Sequence, residues 1–330
     1  LDDLAQPGPG AGFSLFKQGY WCLKKRTVPA IQVAPPMQQI FSIVFPIFAI
    51  VLVGYLYGRR HAPDMAAANQ LNLDIFVPAL IFHVLSQKSF ELGAYRELAL
   101  ASLAVVLGSG LLAWGVARLL HYEPKTFVPP MMFSNSGNMG LPLALFAFGE
   151  AALPAAVVLF IVENTLHFSV GMKMLDHRTS LIGILRIPMV LATVVGVAFS
   201  LTGWVLPSVL SVSIEMVGQV AIPLMLFSLG VRLTGIDLRD WRIGVIGALV
   251  CPATGLIIVL LITPLLDLPA LQYGQLLVFS VLPPAVLNFM VAEKYNQEPR
   301  KVASIVMLGN LGSLLVIPFA LAYILAQNGL

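Results

Sequence analysis

The stretch Phe133-Ser134-Asn135-Ser136-Gly137-Asn138-Met139-Gly140-Leu141-Pro142-Leu143 decides the fold. It lies in an apolar run over 126–147, long enough to cross a bilayer, for which roughly 20 apolar residues suffice. Yet it holds two glycines, two asparagines, two serines and a proline. Proline removes a backbone donor and clashes with the preceding turn, while glycine admits non-helical dihedrals. A regular helix through 135–142 is therefore not expected. Each freed N–H or C=O facing lipid would cost on the order of several kcal/mol, so these groups must line a cavity or be buried in protein.

The rest of the chain fits that setting. Of 330 residues, 58% are hydrophobic and only 11% charged, and the mean hydropathy is +0.89. A soluble surface needs roughly 25–35% charged residues, so a soluble enzyme, a disordered chain and a nucleic-acid-binding domain are excluded. The net charge of +3 comes without a polybasic tract, leaving no electrostatic basis for a DNA or RNA partner. Cys22 and Cys251 give neither a disulfide framework nor metal-ligand spacing. A polytopic, all-α membrane protein remains.

Ten spans are expected, at 39–57, 69–87, 98–120, 126–147, 151–172, 183–205, 209–231, 243–266, 272–292 and 302–326. These runs are continuous rather than alternating, which favours helices over a β-barrel. Thirteen basic residues, Arg59, Arg60, Arg232 and Lys294 among them, fall in loops on one side, against Lys88 and Arg96 on the other. The positive-inside rule makes the richer side cytoplasmic, so both termini are expected outside a bacterial inner membrane. Lys17, Lys24, Lys25 and Arg26, in the Pro- and Gly-rich tail over 1–36, run against this orientation. Met37, just before the first span, is read as the natural start, with 1–36 as an upstream extension or a disordered tail.

The spans also repeat. Pro46 with Gly54 matches Pro188 with Gly196, Pro78 matches Pro223, and Asn164 matches Asn310, at offsets of 142, 145 and 146 residues. Two related halves of five spans each, 37–178 and 179–330, must insert with opposite topology. The ninth span then supplies a second break, Leu282-Pro283-Pro284-Ala285-Val286-Leu287-Asn288. Paired interruptions in inverted halves mark the substrate site of a secondary transporter. Each break exposes a half-helix N-terminus, which binds a carboxylate. Expected substrate-site residues are Ser134, Asn135, Ser136, Gly137, Asn138, Gly140 and Pro142, with Pro283, Pro284 and Asn288.

The segment Ser134 to Pro142 resembles the crossover motif of the auxin efflux carrier family. Pro78-Ala79-Leu80, Pro223-Leu224 with Leu229-Gly230, and Ala292-Glu293-Lys294-Tyr295 are similar to weaker signatures of that family. The resemblance covers about 37–326. It implies ten helices in two inverted five-helix repeats, with two broken helices crossing, and a transport bundle moving against a scaffold like an elevator. It also implies organic-anion substrates, auxin and small dicarboxylates such as malate and malonate among them. The long cytoplasmic loop of the large plant carriers is absent, so the chain resembles the compact bacterial members.

Charged groups inside spans are functional candidates by default. Glu163 and His167, four apart and so on one helical face, are expected to form a proton-coupling or gating pair, or a structural hydrogen-bonded pair, with Asn164 beside them. Asn310 is expected to hydrogen-bond the broken backbone. Asp74 either supports the fourth break or reaches the interface. No cofactor or metal is expected beyond a coupling H⁺ or Na⁺, and no Walker motif offers ATP as a direct drive. Expected partners are a small organic anion and the lipid bilayer, with no nucleic acid; a homodimer is left open. The alternatives are a sodium-coupled symporter of the bile-acid type, which resembles this architecture, a receptor or sensor, and an intramembrane enzyme.

Overall fold

The computed structural model describes residues 36–87, 90–176, 186–235 and 239–328. The reading of the tail therefore lies outside the described residues, as do Lys88 and the loop over 177–185. Among the described residues the chain is helical, without strands apart from one isolated antiparallel bridge between Ser134 and Pro284.

Seven helices are long and apolar enough to cross a membrane. They are α1 (Pro36–His61), α2 (Ala66–Leu85), α3 (Gly93–Leu119), α6 (Glu150–Leu175), α8 (Ser208–Gly235), α9 (Trp241–Leu265) and α12 (Pro299–Asn328). The other three expected spans are not single long helices. The fourth is split into α4 (Pro124–Met132) and α5 (Ser136–Phe148). The sixth is the 15-residue α7 (Pro188–Thr202), and the ninth is split into α10 (Ala270–Ser280) and α11 (Val286–Lys294). The fourth split falls beside Pro129, Pro130 and Gly137 and the ninth at Pro283 and Pro284, where prolines, with a glycine in the fourth, withdraw helical hydrogen bonds.

The outside is apolar: Val209 is 75% exposed, Phe319 75% and Leu111 71%, a surface suited to lipid tails rather than water. Inside, the helices sort by contact. α1 packs along α8, and α2 packs on α7 and α8. α3, α4, α6, α9 and α12 pack chiefly among themselves. The α1–α8 seam is backbone-close: a Cβ added at Gly230 would lie 2.0 Å from the Val51 carbonyl oxygen. Small residues permit such approach between membrane helices, where dispersion rather than the hydrophobic effect drives packing.

Candidate functional site

The two breaks lie side by side. The Asn135 N–H donates to the Pro283 carbonyl at 2.7 Å, and the Ala285 N–H donates to the Phe133 carbonyl at 2.9 Å. Each break thus satisfies backbone groups that the other's prolines and glycines set free. Side chains complete the crossing. Asn288 donates from Nδ2 to the Phe133 carbonyl at 2.8 Å, and Asn310 donates from Nδ2 to the Pro284 carbonyl at 3.0 Å. Asn135 Nδ2 donates to Asn310 Oδ1 at 2.8 Å. Cys251 of α9, a buried free thiol, points at the carbonyls of Pro130 and Leu282, 3.7 and 3.5 Å away. Gly309 leaves the room that Pro284 occupies, since a Cβ there would meet the proline ring at 2.5 Å.

Beside the crossing is a cavity of about 130 Å³. Ser134, Asn135, Ser136, Gly137 and Asn138 line it from the fourth break, with Asn164 and His167 from α6 and Ala285, Val286 and Leu287 from the ninth break. Its far wall is made by Asn69, Asn72, Ser228 and Arg232 of α2 and α8. Among the described residues no carboxylate lines it. Three helical stretches widen into π turns, Asn72–Phe76, Ser136–Gly140 and His167–Gly171, and residues of all three line this one cavity. Such turns interrupt the regular hydrogen-bond ladder and turn side chains and carbonyls aside, which is why they gather at functional sites.

Seven of the expected site residues therefore share the cavity wall. Asn138 stands out among them, because its amide makes no hydrogen bond within the described protein. Asn164 donates to the Phe160 carbonyl at 2.8 Å and to Ser136 Oγ at 3.5 Å. Asn288 and Asn310 sit behind the wall as braces, both buried. Pro283 and Pro284 contribute carbonyls to the crossing, and Gly140 and Pro142 are packed in the core.

Glu163 with His167 is not a hydrogen-bonded pair, and of the two places expected for Asp74 the one at the fourth break is not taken. Glu163 and His167 are both buried. Ser134 Oγ donates to Glu163 Oε2 at 3.1 Å, on the side of a second, very small cavity shared with Ser102, Ser109 and Cys251. The His167 ring instead lies flat on Phe133, centroids 4.2 Å apart. The fourth break captures each side chain at a different point, so the shared helical face does not become a pair. Asp74 is exposed and accepts a hydrogen bond from Gln70 Nε2 at 2.7 Å, away from the cavity. The polar residues of α2 that do reach the cavity are Asn69 and Asn72, three apart on one face, a spacing that the sequence offers as a signal.

A bundle of spanning helices whose paired breaks enclose a polar cavity is the architecture of a membrane transport protein. The chain belongs to the family described as membrane transport protein, the auxin efflux carrier family, whose model matches residues 39–182 and 173–321. It is 26% identical over 322 residues to a Rhizobium meliloti (strain 1021) protein named "Putative malonate transporter", covering 89% of this chain and 98% of that one. It is 24% identical to an uncharacterized transporter of Methanocaldococcus jannaschii, covering 84% of this chain and 96% of that one. It is 22% identical to the uncharacterized transporter YfdV of Escherichia coli K12, covering 83% and 94%. The protein is a multi-pass membrane transporter, not an enzyme.

Proposed function

We propose that this protein carries small organic anions, mono- or dicarboxylates of a few carbons, by alternating access at the crossing cavity. The observation that carries the reading is the cavity itself: it is lined by amides and hydroxyls, of which the Asn138 amide has no partner among the described residues, and by the uncapped start of α11, and among the described residues no carboxylate faces it. The first N–H groups of α11, at Val286 and Leu287, have no helical partner and carry the positive end of its dipole. The volume is well below the roughly 300–1,000 Å³ of a drug-sized ligand, which favours a substrate such as malonate or malate. A relative bearing a malonate-transporter name supports the same class.

On this reading the chain is ten spans in two inverted repeats, 37–178 and 179–330, with both termini outside. The exchange of partners supports it, since the first span packs on the seventh and the second on the sixth, as a two-fold between halves requires. Helices α1, α2, α7 and α8 form the scaffold, and the remaining helices carry the site past it like an elevator. Export of an anion runs down the membrane potential, about 2.3 kcal/mol per charge per 100 mV. Import requires a coupled H⁺ or Na⁺, and Glu163, bonded to Ser134 of the fourth break, is the proposed proton carrier. Assembly as a homodimer is compatible with it.

Uptake of labelled malonate into proteoliposomes tests the substrate class. Wild type is expected to show saturable counterflow, reduced about tenfold in Asn138→Ala; equal transport by both refutes the site. Glu163→Gln tests the coupling: it is expected to flatten the pH dependence of uptake, and an unchanged profile rules out a proton role for Glu163.

A further inference from the structure

We infer that Arg232 is a second anion-binding pole of the crossing cavity and selects substrates with two carboxylates. This rests on the small-carboxylate reading above. Arg232 closes the helical stretch Ala221–Arg232 of α8 and lines the cavity. It follows Ser228 by four residues and so shares its face. Among the described residues no carboxylate lies within ion-pair distance of its guanidinium, and no hydrogen bond is made by it. Other arginines at the ends of these helices rest on rings: Arg118 lies 5.0 Å from the Trp114 centroid and Arg59 lies 6.0 Å from that of Tyr55. Among the described residues Arg232 has no such ring partner, and it is only half-buried.

Its immediate wall is polar and incompletely satisfied. Ser228 donates to Asn69 Oδ1 at 2.6 Å, so that pair is already engaged. Asn72 is 4% exposed, lines the same cavity, and has an Oδ1 without a partner. A buried polar atom left unpaired is costly and calls for a ligand or water. Asn138 and the free N–H groups at the start of α11 line the same cavity.

A single carboxylate needs only one of these walls. A short dianion reaches both: one end takes the amides and α11 N–H groups, and the other takes the planar fork of the guanidinium bidentately. Arg232 lies on α8 and Asn138 on α5, whose Ser136–Gly140 turn touches both α8 and α6. A dianion held at both ends therefore ties the end of α8 to the fourth break.

Calorimetric binding to the purified full-length protein tests this with malonate and malonamate, in which an amide replaces one carboxylate at nearly constant size. Wild type is expected to bind malonate at least about tenfold more tightly, the scale of a charge-assisted hydrogen bond. Arg232→Gln is expected to bring the two affinities within about threefold of each other. Arg232→Lys keeps the charge and loses the fork, so it is expected to give an intermediate ratio. Asn138→Ala is expected to weaken both ligands by similar factors and leave the ratio unchanged. A wild-type protein that binds both equally, or variants at Arg232 that keep the wild-type ratio, would falsify the role of Arg232 alone. A wild-type protein that binds neither overturns the small-carboxylate reading, and this inference with it.

Discussion

At the fourth break, between α4 and α5, the chain turns side chains toward the cavity; at the ninth, between α10 and α11, it presents backbone. Five consecutive residues of the fourth break line the cavity, and the Asn138 side chain is left without a partner among the described residues. The ninth break contributes Ala285, Val286 and Leu287, whose side chains carry no polar atoms, so only their backbone and helix end act polar. Its one amide, Asn288, faces away and braces the Phe133 carbonyl. Its prolines direct their carbonyls to Asn135 and Asn310. One break therefore reads a ligand while the other holds the crossing in place. Related interruptions need not share a task, because a freed carbonyl requires a donor and a freed N–H requires an acceptor, and each break met different neighbours.

The largest effect expected from this contrast is on stability, at the brace. Asn310→Ala removes the donor to the Pro284 carbonyl and the acceptor of the Asn135 amide, all of them buried. Losing these bonds and stranding their partners costs about 2–4 kcal/mol. Thermal melting of the purified protein should fall by several degrees, and an unchanged transition would show that the crossing does not depend on this residue.

The next effect is on binding. Asn138→Ala removes an amide with no protein partner, so stability should stay within about 0.5 kcal/mol of wild type. Carboxylate affinity should fall by about 1.4 kcal/mol, or tenfold. If the melting temperature drops as far as in Asn310→Ala while binding holds, the two breaks do not divide the work as described.

The smallest effect lies where the two broken regions are tied at their ends. Thr126 of α4 donates to Glu298 Oε2 at 2.6 Å, and Lys301 at the start of α12 pairs with the same carboxylate. Partial burial opposes ionisation of Glu298, but the hydrogen bonds from Lys301 and Thr126 and the nearby Lys301 charge outweigh it and hold the carboxyl below its usual 4.5. A depressed folded value stabilises the protein above about pH 4.5 and ceases to do so as pH falls through that lower value. The side chain is 35% exposed, so the tie is worth less than about 1 kcal/mol. Glu298→Gln should therefore cost a few tenths of a kcal/mol at pH 7 and nothing measurable at strongly acid pH; an equal cost at both would remove the charge from the explanation.

Much of the crossing is legible in the sequence because its cause is local. A proline has no N–H wherever it stands, and Asn135, Asn138 and Gly137 around an apolar core are conspicuous. Asn310 is legible too, through its offset from Asn164. Arg232 is not. Counted with the loop cations that orient the chain, it gives no sign that its helix end overhangs the fourth break. Asn69 and Asn72 were overshadowed by the charge of Asp74. The π turn over Asn72–Phe76 shifts the facing of α2 so that Asn72 is buried and Asp74 looks outward. Glu163 and His167 make no hydrogen bond to each other for a related reason: spacing places two residues on one face, but Ser134 and Phe133 decide where each side chain ends.

By itself, then, the sequence determined where helices cannot continue, how apolar the chain is, and which polar groups stand among the spans. These are properties of single residues and their near neighbours. Only the tertiary structure decided which freed carbonyl meets which donor, as Asn135 meets Pro283 across nearly half the chain. It also decided that an arginine, three π turns, two of them bearing an asparagine, and a helix N-terminus enclose one cavity. Contacts of that range depend on how helices cross and rotate against one another. Small shifts of register, such as a single π turn, redirect a side chain without leaving any trace in the composition around it.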